Sequence, residues 1–248
     1  MAVLLTRPRP DNEASAARLR ARGVDVLLAP MLRFEPVAFV DDPGVHYDAV
    51  IATSSNALRA IAAQLAQSRL TELPLFAVGD HTGSTARELG FTKVISAAGD
   101  VAALRERLLQ SRPAKELQEK SRLLYLAGVD ISRDLAGELR EHGLDVVTRT
   151  TYRMAALSTL PHEVCEAFAA NAVQAVLHYS QRTAAAFLEA ARTEGIEISA
   201  LSVPQCCISG NVATVLREAG ARQVSVAASP NENALFEALD RALRSRLA

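Results

Sequence analysis

The chain has 248 residues, 49% of them apolar, only 4% aromatic and none tryptophan, which allows one large or two small domains with aliphatic cores. A formal net charge of −1 argues against a nucleic-acid binder, three cysteines supply no disulfide framework, and no apolar run approaches the roughly 20 residues of a membrane span. The first residues lead straight into strand-like Val3-Leu4-Leu5 rather than a secretion signal, so a cytoplasmic location is expected.

Short β-rich runs then alternate with helical patterns. Residues 2–6 read as a strand, 12–22 as a helix ended by Gly23, and 24–29 as a second strand. An irregular extended segment, 30–40, carries Pro30 and Pro36. Strand 49–52 leads into helix 54–67, strand 75–78 into helix 82–89, and strand 93–96 into helix 101–109. The polar stretch 112–120 follows. Strand 123–126 feeds helix 132–142, and strand 144–148 precedes a second extended segment, 149–160. Helix 162–170, strand 172–178, helix 183–192, strand 205–209, helix 212–219, strand 223–226 and helix 231–247 complete the pattern. Such alternation implies an α/β fold, with parallel sheets covered by helices on both faces.

The second half of the chain repeats the first. Val3-Leu4-Leu5 through Gly23-Val24-Asp25-Val26 answers to Leu123-Leu124-Tyr125 through Gly143-Leu144-Asp145-Val146. The stretch Ala49-Val50-Ile51 through Ser54 answers to Ala175-Val176-Leu177 through Ser180, and Gly79 through Gly90 answers to Gly210 through Gly220. The offset drifts slowly, as a duplication with small loop insertions would produce, and its period is too long for a solenoid. A plain cut near residue 116 gives five strands to each half. A cut at the two extended segments also gives five and five, and those segments would then pair into a two-stranded β ladder and form a hinge. The crossed arrangement is preferred: residues 1–32 plus 157–248 form one flavodoxin-like domain and 39–149 the other, with 30–40 and 149–160 crossing between them.

In open parallel sheets, ligands bind outside the carboxyl ends of the strands. Small polar residues recur there: Thr53-Ser54-Ser55-Asn56, Gly79-Asp80-His81-Thr82, Tyr179-Ser180-Gln181, Ser209-Gly210-Asn211 and Ser229-Pro230-Asn231. Helix capping alone explains any one of them. Five recurrences together present free amides and positive dipole ends suited to a ligand with several carboxylates or phosphates. Arg7, at the end of the first strand, is either a carboxylate clamp or a loop arginine in water. Tyr152, in the second crossing, is either a packing residue or a phenol able to donate a proton. No glycine-rich nucleotide motif is present. His162-x-x-Cys165 and Cys206-Cys207 fall short of a metal-ligand set and read as packing residues, so neither cofactor nor metal is expected.

These stretches, with Leu4-Leu5-Thr6-Arg7-Pro8, Ala52-Thr53-Ser54-Ser55-Asn56-Ala57, Ala77-Val78-Gly79-Asp80-His81-Thr82, Arg133-Asp134-Leu135, Thr151-Tyr152-Arg153 and Ile208-Ser209-Gly210, resemble the uroporphyrinogen-III synthase family over the full chain. The resemblance implies two α/β domains joined by a two-stranded ladder, with the active site in the cleft between them. It implies a monomer without cofactor or metal, acting as a lyase on hydroxymethylbilane, a linear tetrapyrrole with eight carboxylates. The ring closes with loss of water and inversion of ring D. The family's tyrosine maps onto Tyr152 as the catalytic residue. Substrate-binding positions are expected at Arg7, Thr53, Ser54, Ser55, Gly79, Thr82, Tyr179, Ser180, Gly210 and Asn211. Two positions depart from the family pattern: Ala127 replaces the usual arginine before Gly128, and Ala213 replaces a threonine. The rival expectation is a non-catalytic two-lobed protein, either one that closes on an anionic ligand or a regulatory one.

Overall fold

A strand covered by helices on both faces has no wet side, so both sets of its alternating side chains are apolar. This is the condition of Val3, Leu4 and Leu5 and of Ala49, Val50 and Ile51, all wholly buried in the structure, a computed structural model. The structure describes residues 1–40, 44–66, 68–111, 121–131 and 133–245; the connector expected at 112–120 and the helix start expected at 132 lie outside them.

In chain order the strands are β1 (Ala2–Leu5), β2 (Asp25–Leu28), β3 (Leu32–Pro36), β4 (Ala49–Ala52), β5 (Leu75–Ala77), β6 (Val94–Ser96), β7 (Arg122–Gly128), β8 (Asp145–Ala156), β9 (Val173–His178), β10 (Gln205–Cys207) and β11 (Val224–Val226). The helices are α1 (Asp11–Arg20), α2 (Ser55–Ala60), α3 (Ala62–Leu65), α4 (Asp80–Glu88), α5 (Val101–Gln110), α6 (Leu135–Glu141), α7 (His162–Ala169), α8 (Gln181–Thr193), α9 (Glu197–Ser202), α10 (Gly210–Glu218) and α11 (Glu232–Ser245). The chain divides into two units, Met1–Arg33 with Ala155–Ala248, and Phe34–Met154.

The first unit holds a five-stranded sheet ordered β2-β1-β9-β10-β11, every pair parallel. This is the flavodoxin-like order, in which the second strand lies outside the first. Alternation along the strands sends Leu4 and Val176 into one core with Phe168 and Phe187, and the register shift between Val173 and Ala175 lets Val173 join them. It sends Val3, Leu5, Ala175 and Leu177 into the other, against Leu19, Phe236 and Leu239. The second unit holds β8-β7-β4-β5-β6, again parallel, with β3 beyond β8. Read from β7 onward, this order is the same as that of the first unit. A duplicated α/β unit would produce that correspondence. Gly23 and Gly143, at matching helix ends after α1 and α6, both take positive φ, 77° and 81°, a conformation that costs other residues steric strain.

Four details differ from the sequence-based expectation. Helix 54–67 is broken at Ile61, whose N–H bonds to Leu58 O at 3.2 Å; this three-residue step tightens the turn and separates α2 from α3. The strand at 144–148 and part of the extended segment are one twelve-residue strand, β8, continued by the β-branched run through Thr151. The helix α9 is new, a six-residue element too short for periodicity to reveal. The second sheet has six strands rather than five, because β3 joins the β8 edge. The bonds Val37 N–H to Thr151 O and Leu157 N–H to Met31 O run in the crossed sense of an antiparallel ladder.

His178 ends β9 with no exposed surface. Gln205 Nε2 donates to Ala200 O and Val203 O, both at 2.8 Å, which turns its Oε1 toward His178 Nε2 at 2.9 Å. The imidazole must therefore carry its proton on Nε2. Burial lowers the His178 pKa from 6.5 to about 4, only partly offset by the Gln205 bond. Between those values the unfolded chain binds more protons than the folded one, so stability falls as pH drops through this window. The full shift corresponds to roughly 3 kcal/mol. We expect the His178 ring to stay neutral in an NMR titration down to about pH 4, and the acid loss of stability between pH 4 and 6.5 to flatten in His178→Gln. A ring midpoint near 6.5 would contradict this arrangement.

Candidate active site

The parallel strands of each unit deliver their last residues to one edge, where helices such as α2, α4, α8 and α10 begin. Ser54 and Ser180 occupy matching places there, with extended backbones immediately before α2 and α8. Ser54 Oγ accepts from Asn56 N–H at 3.2 Å, and Ser180 Oγ accepts from Thr183 N–H at 3.1 Å. Both are helix caps, which organises the free amides of the first turn around them. Ser55, in the first turn of α2, and Thr82, in the first turn of α4, are buried. Gly79 and Ser209 precede α4 and α10 in extended conformations, φ −153° for both, and neither caps with a side chain. Gly210 and Asn211 are exposed at the start of α10, and a Cβ on Gly210 would meet open space, so the fold itself does not require glycine there.

In the second unit, Thr53 Oγ1 lies 3.1 Å from the Tyr125 hydroxyl. Burial raises the Tyr125 pKa; the Thr53 bond opposes this, and the nearby Tyr152 adds to it. Tyr152 sits on β8, stacked on Phe34 with ring centroids 5.8 Å apart and planes at 28°. Its hydroxyl makes no hydrogen bond among the described residues. The edge of this unit therefore carries phenols, hydroxyls and helix-start amides.

In the first unit, Arg7 is neither free nor in water alone. Its Nη2 donates to Asp11 Oδ2 at 2.8 Å, and Nη1 to Glu232 Oε1 at 3.2 Å and Ser15 Oγ at 3.1 Å. Its guanidinium lies 4.4 Å from the centroid of the Tyr179 ring, a cation–π contact. The Tyr179 hydroxyl donates to Glu232 Oε1 at 3.1 Å, and Glu232 also holds Ser15 and Arg18. Burial works against the Glu232 carboxylate, yet the Ser15 and Tyr179 bonds and the Arg18 and Arg7 charges outweigh it and lower its pKa. Burial drives the Tyr179 phenol up, far from ionisation at neutral pH. Sequence reasoning missed Glu232, because it stands 225 positions from Arg7 and no local pattern links them.

Burial also lifts the Cys206 and Cys207 thiols to about 12, keeping them protonated and poor ligands at neutral pH. Among the described residues no group of three or more His, Cys, Asp or Glu is placed to hold a metal ion. No described helix is long and apolar enough to cross a membrane.

Two flavodoxin-like units with hydroxyl- and amide-rich strand edges define the class: a two-unit α/β protein of mostly parallel sheets. The family model HEM4, uroporphyrinogen-III synthase HemD, matches residues 13–237. The chain belongs to the uroporphyrinogen-III synthase family, the lyases of tetrapyrrole biosynthesis. Its fold is similar to that of uroporphyrinogen-III synthetase from Helicobacter pylori, with a TM-score of 0.64 and 21% identity over 98% of this chain and 99% of that one. It is also similar to a mutant uroporphyrinogen III synthase from Thermus thermophilus, with a TM-score of 0.55 and 18% identity over 99% of this chain and 100% of that one. No curated protein matches the chain by sequence. Family membership supports the enzyme reading over the non-catalytic binder.

The Glu232 cluster makes a stability prediction. Glu232→Gln should destabilise the protein by about 1–3 kcal/mol at neutral pH, since it strips charge from bonds to Arg7 and Arg18. The folded pKa is depressed, so the stabilisation is present above the unfolded value of 4.5 and is lost as pH falls below it. Urea unfolding of both proteins, from neutral pH down to about pH 4, should show the gap narrowing at the acid end. A gap independent of pH would remove the carboxylate from this account.

Proposed function

We propose that the chain converts hydroxymethylbilane to uroporphyrinogen III without cofactor or metal, with Tyr152 as the proton donor. The family match over residues 13–237 carries the activity, and the Tyr152 hydroxyl, without a hydrogen bond among the described residues and opposite Gly128 at the carboxyl end of β7, supports the assignment of the donor. Proton donation starts the sequence. Electron density from the ring-A pyrrole nitrogen expels the hydroxymethyl oxygen as water, which takes its proton from the Tyr152 phenol. The azafulvene carbon left behind bonds to the substituted carbon of ring D, giving a spiro intermediate. That intermediate fragments and recloses with ring D inverted, and the proton released on rearomatisation returns to the phenolate. Only water is lost.

Because the substrate also cyclises by itself to the uninverted isomer, the protein must position more than activate. The helix-start amides beside Ser54, Thr82, Ser180 and Asn211, with Thr53, Ser55, Gly79, Tyr179 and Gly210, are proposed to hold its carboxylates. Arg7 contributes to the extent that a substrate carboxylate competes with Asp11 and Glu232 for its guanidinium. A cytoplasmic monomer fits three unpaired cysteines.

Freshly generated hydroxymethylbilane should yield the type III isomer, before and after dialysis against a chelator. Only type I product, equal to the protein-free control, would reject the activity, and loss of activity on dialysis would reject cofactor independence. Tyr152→Phe should lower turnover at or below the low end of the roughly 10²–10⁴-fold range for proton donation, with the fold intact by circular dichroism. Ser54→Ala, Thr82→Ala and Ser180→Ala should each cost less, since neighbouring backbone amides share the load. Wild-type turnover in Tyr152→Phe beside a dead hydroxyl variant would reverse these roles.

A further inference from the structure

We propose that Gly128 and the one-residue bulge at Thr151 are positioning elements for Tyr152, an inference that rests on the reading of Tyr152 as proton donor. Along β7 and β8 the partners run in step from Arg122 with Asp145 to Ala127 with Thr150, after which Gly128 pairs with Tyr152. Thr151 is the extra residue. Strand side chains alternate between faces, so without the bulge Tyr152 would share a face with Thr148 and Thr150. The bulge turns it to the face of Val147, where it packs against the core containing Leu124 and Leu126. Thr151 is fully buried and fixes the bulge: its hydroxyl is 3.2 Å from Ala57 O and 3.3 Å from Ala127 O, joining β8 to α2 and to β7.

Gly128 completes the seat. It is not among the glycines with positive φ, so its backbone conformation does not call for glycine. The space does: a Cβ there would lie 2.8 Å from Tyr152 Cζ and 3.0 Å from both Cε1 and the hydroxyl oxygen. The phenol therefore rests directly on the Gly128 backbone, and Val129 N–H to Tyr152 O at 2.9 Å ties the two strands just beyond it. Phe34 stacks on the same ring. A methyl group at position 128 must displace the phenol, and an ångström of misplacement can cost about 100-fold in rate.

The test is a double-mutant cycle on the full chain, read by turnover on hydroxymethylbilane and by urea unfolding. Gly128→Ala should lower kcat by up to as much as Tyr152→Phe does, with KM unchanged, and shift the unfolding midpoint downward. In a Tyr152→Ala background, where the ring is gone, the same substitution should change neither. Thr151→Val, which keeps shape but loses the hydroxyl, should also lower kcat, and Thr151→Ser should recover most of the loss. Equal effects of Gly128→Ala in both backgrounds, or wild-type kcat in Gly128→Ala alone, would overturn the inference. Failure of the donor reading looks different: Tyr152→Phe would turn over like wild type, while the unfolding cycle would still report whether Gly128 seats the ring.

Discussion

Parallel pairing is the constraint from which the rest of this structure follows. A strand that must run alongside its neighbour in the same direction needs a crossover, and that crossover returns through a helix. The carboxyl ends of the parallel strands in each sheet then lie on one edge, and helices such as α4, α8 and α10 open there. Each opening turn leaves N–H groups without intrahelical acceptors and puts the positive end of the helix dipole beside them. The edge is thus electropositive by backbone alone, in a chain whose formal net charge is −1.

The two edges nevertheless differ in kind. In the first unit the charges are already matched: Arg7 and Arg18 meet Glu232, Arg7 also meets Asp11, and Tyr179 is committed to the same carboxylate. That cluster joins β1, α1, β9 and α11 and behaves as a structural clasp. In the second unit Tyr125 and Thr53 satisfy each other, while the Tyr152 hydroxyl is left uncommitted among the described residues. A proton donor is useful only if its proton is not already spent on a stronger acceptor. The phenol of Tyr152 therefore suits the proton-donor role proposed for it, and that of Tyr179, bonded to Glu232, does not.

The sequence revealed those features that depend on near neighbours. Strand and helix alternation, the helix-ending roles of Gly23 and Gly143, and the strand edges carrying Ser54 and Ser180 all follow from local patterns, and the two mostly parallel sheets match the expected fold class. Features set by distant partners did not show. Glu232 has no signal of its own beyond lying in the first turn of a helix, where acidic residues are common. Gly128 looked like one more glycine after a strand; its reason is the Tyr152 ring, brought opposite by a bulge that strict alternation does not anticipate. The break at Ile61 was equally hidden, because an apolar helical pattern continues through it.

Reliance on backbone groups also bears on how far such a protein can diverge. A helix-start amide persists through almost any substitution, whereas a side-chain donor is lost in one. Ala127 and Ala213 stand where the family pattern has an arginine and a threonine, yet the β7 and α10 backbones that would present ligand groups are in place. The constraints at Gly128 and Thr151 are of another kind: the volume a Cβ would fill and the hydroxyl beside the bulge act through shape and register rather than charge. The fold itself is similar to that of the Helicobacter pylori protein at only 21% identity, so the regular hydrogen bonding that builds it tolerates wide change in side chains.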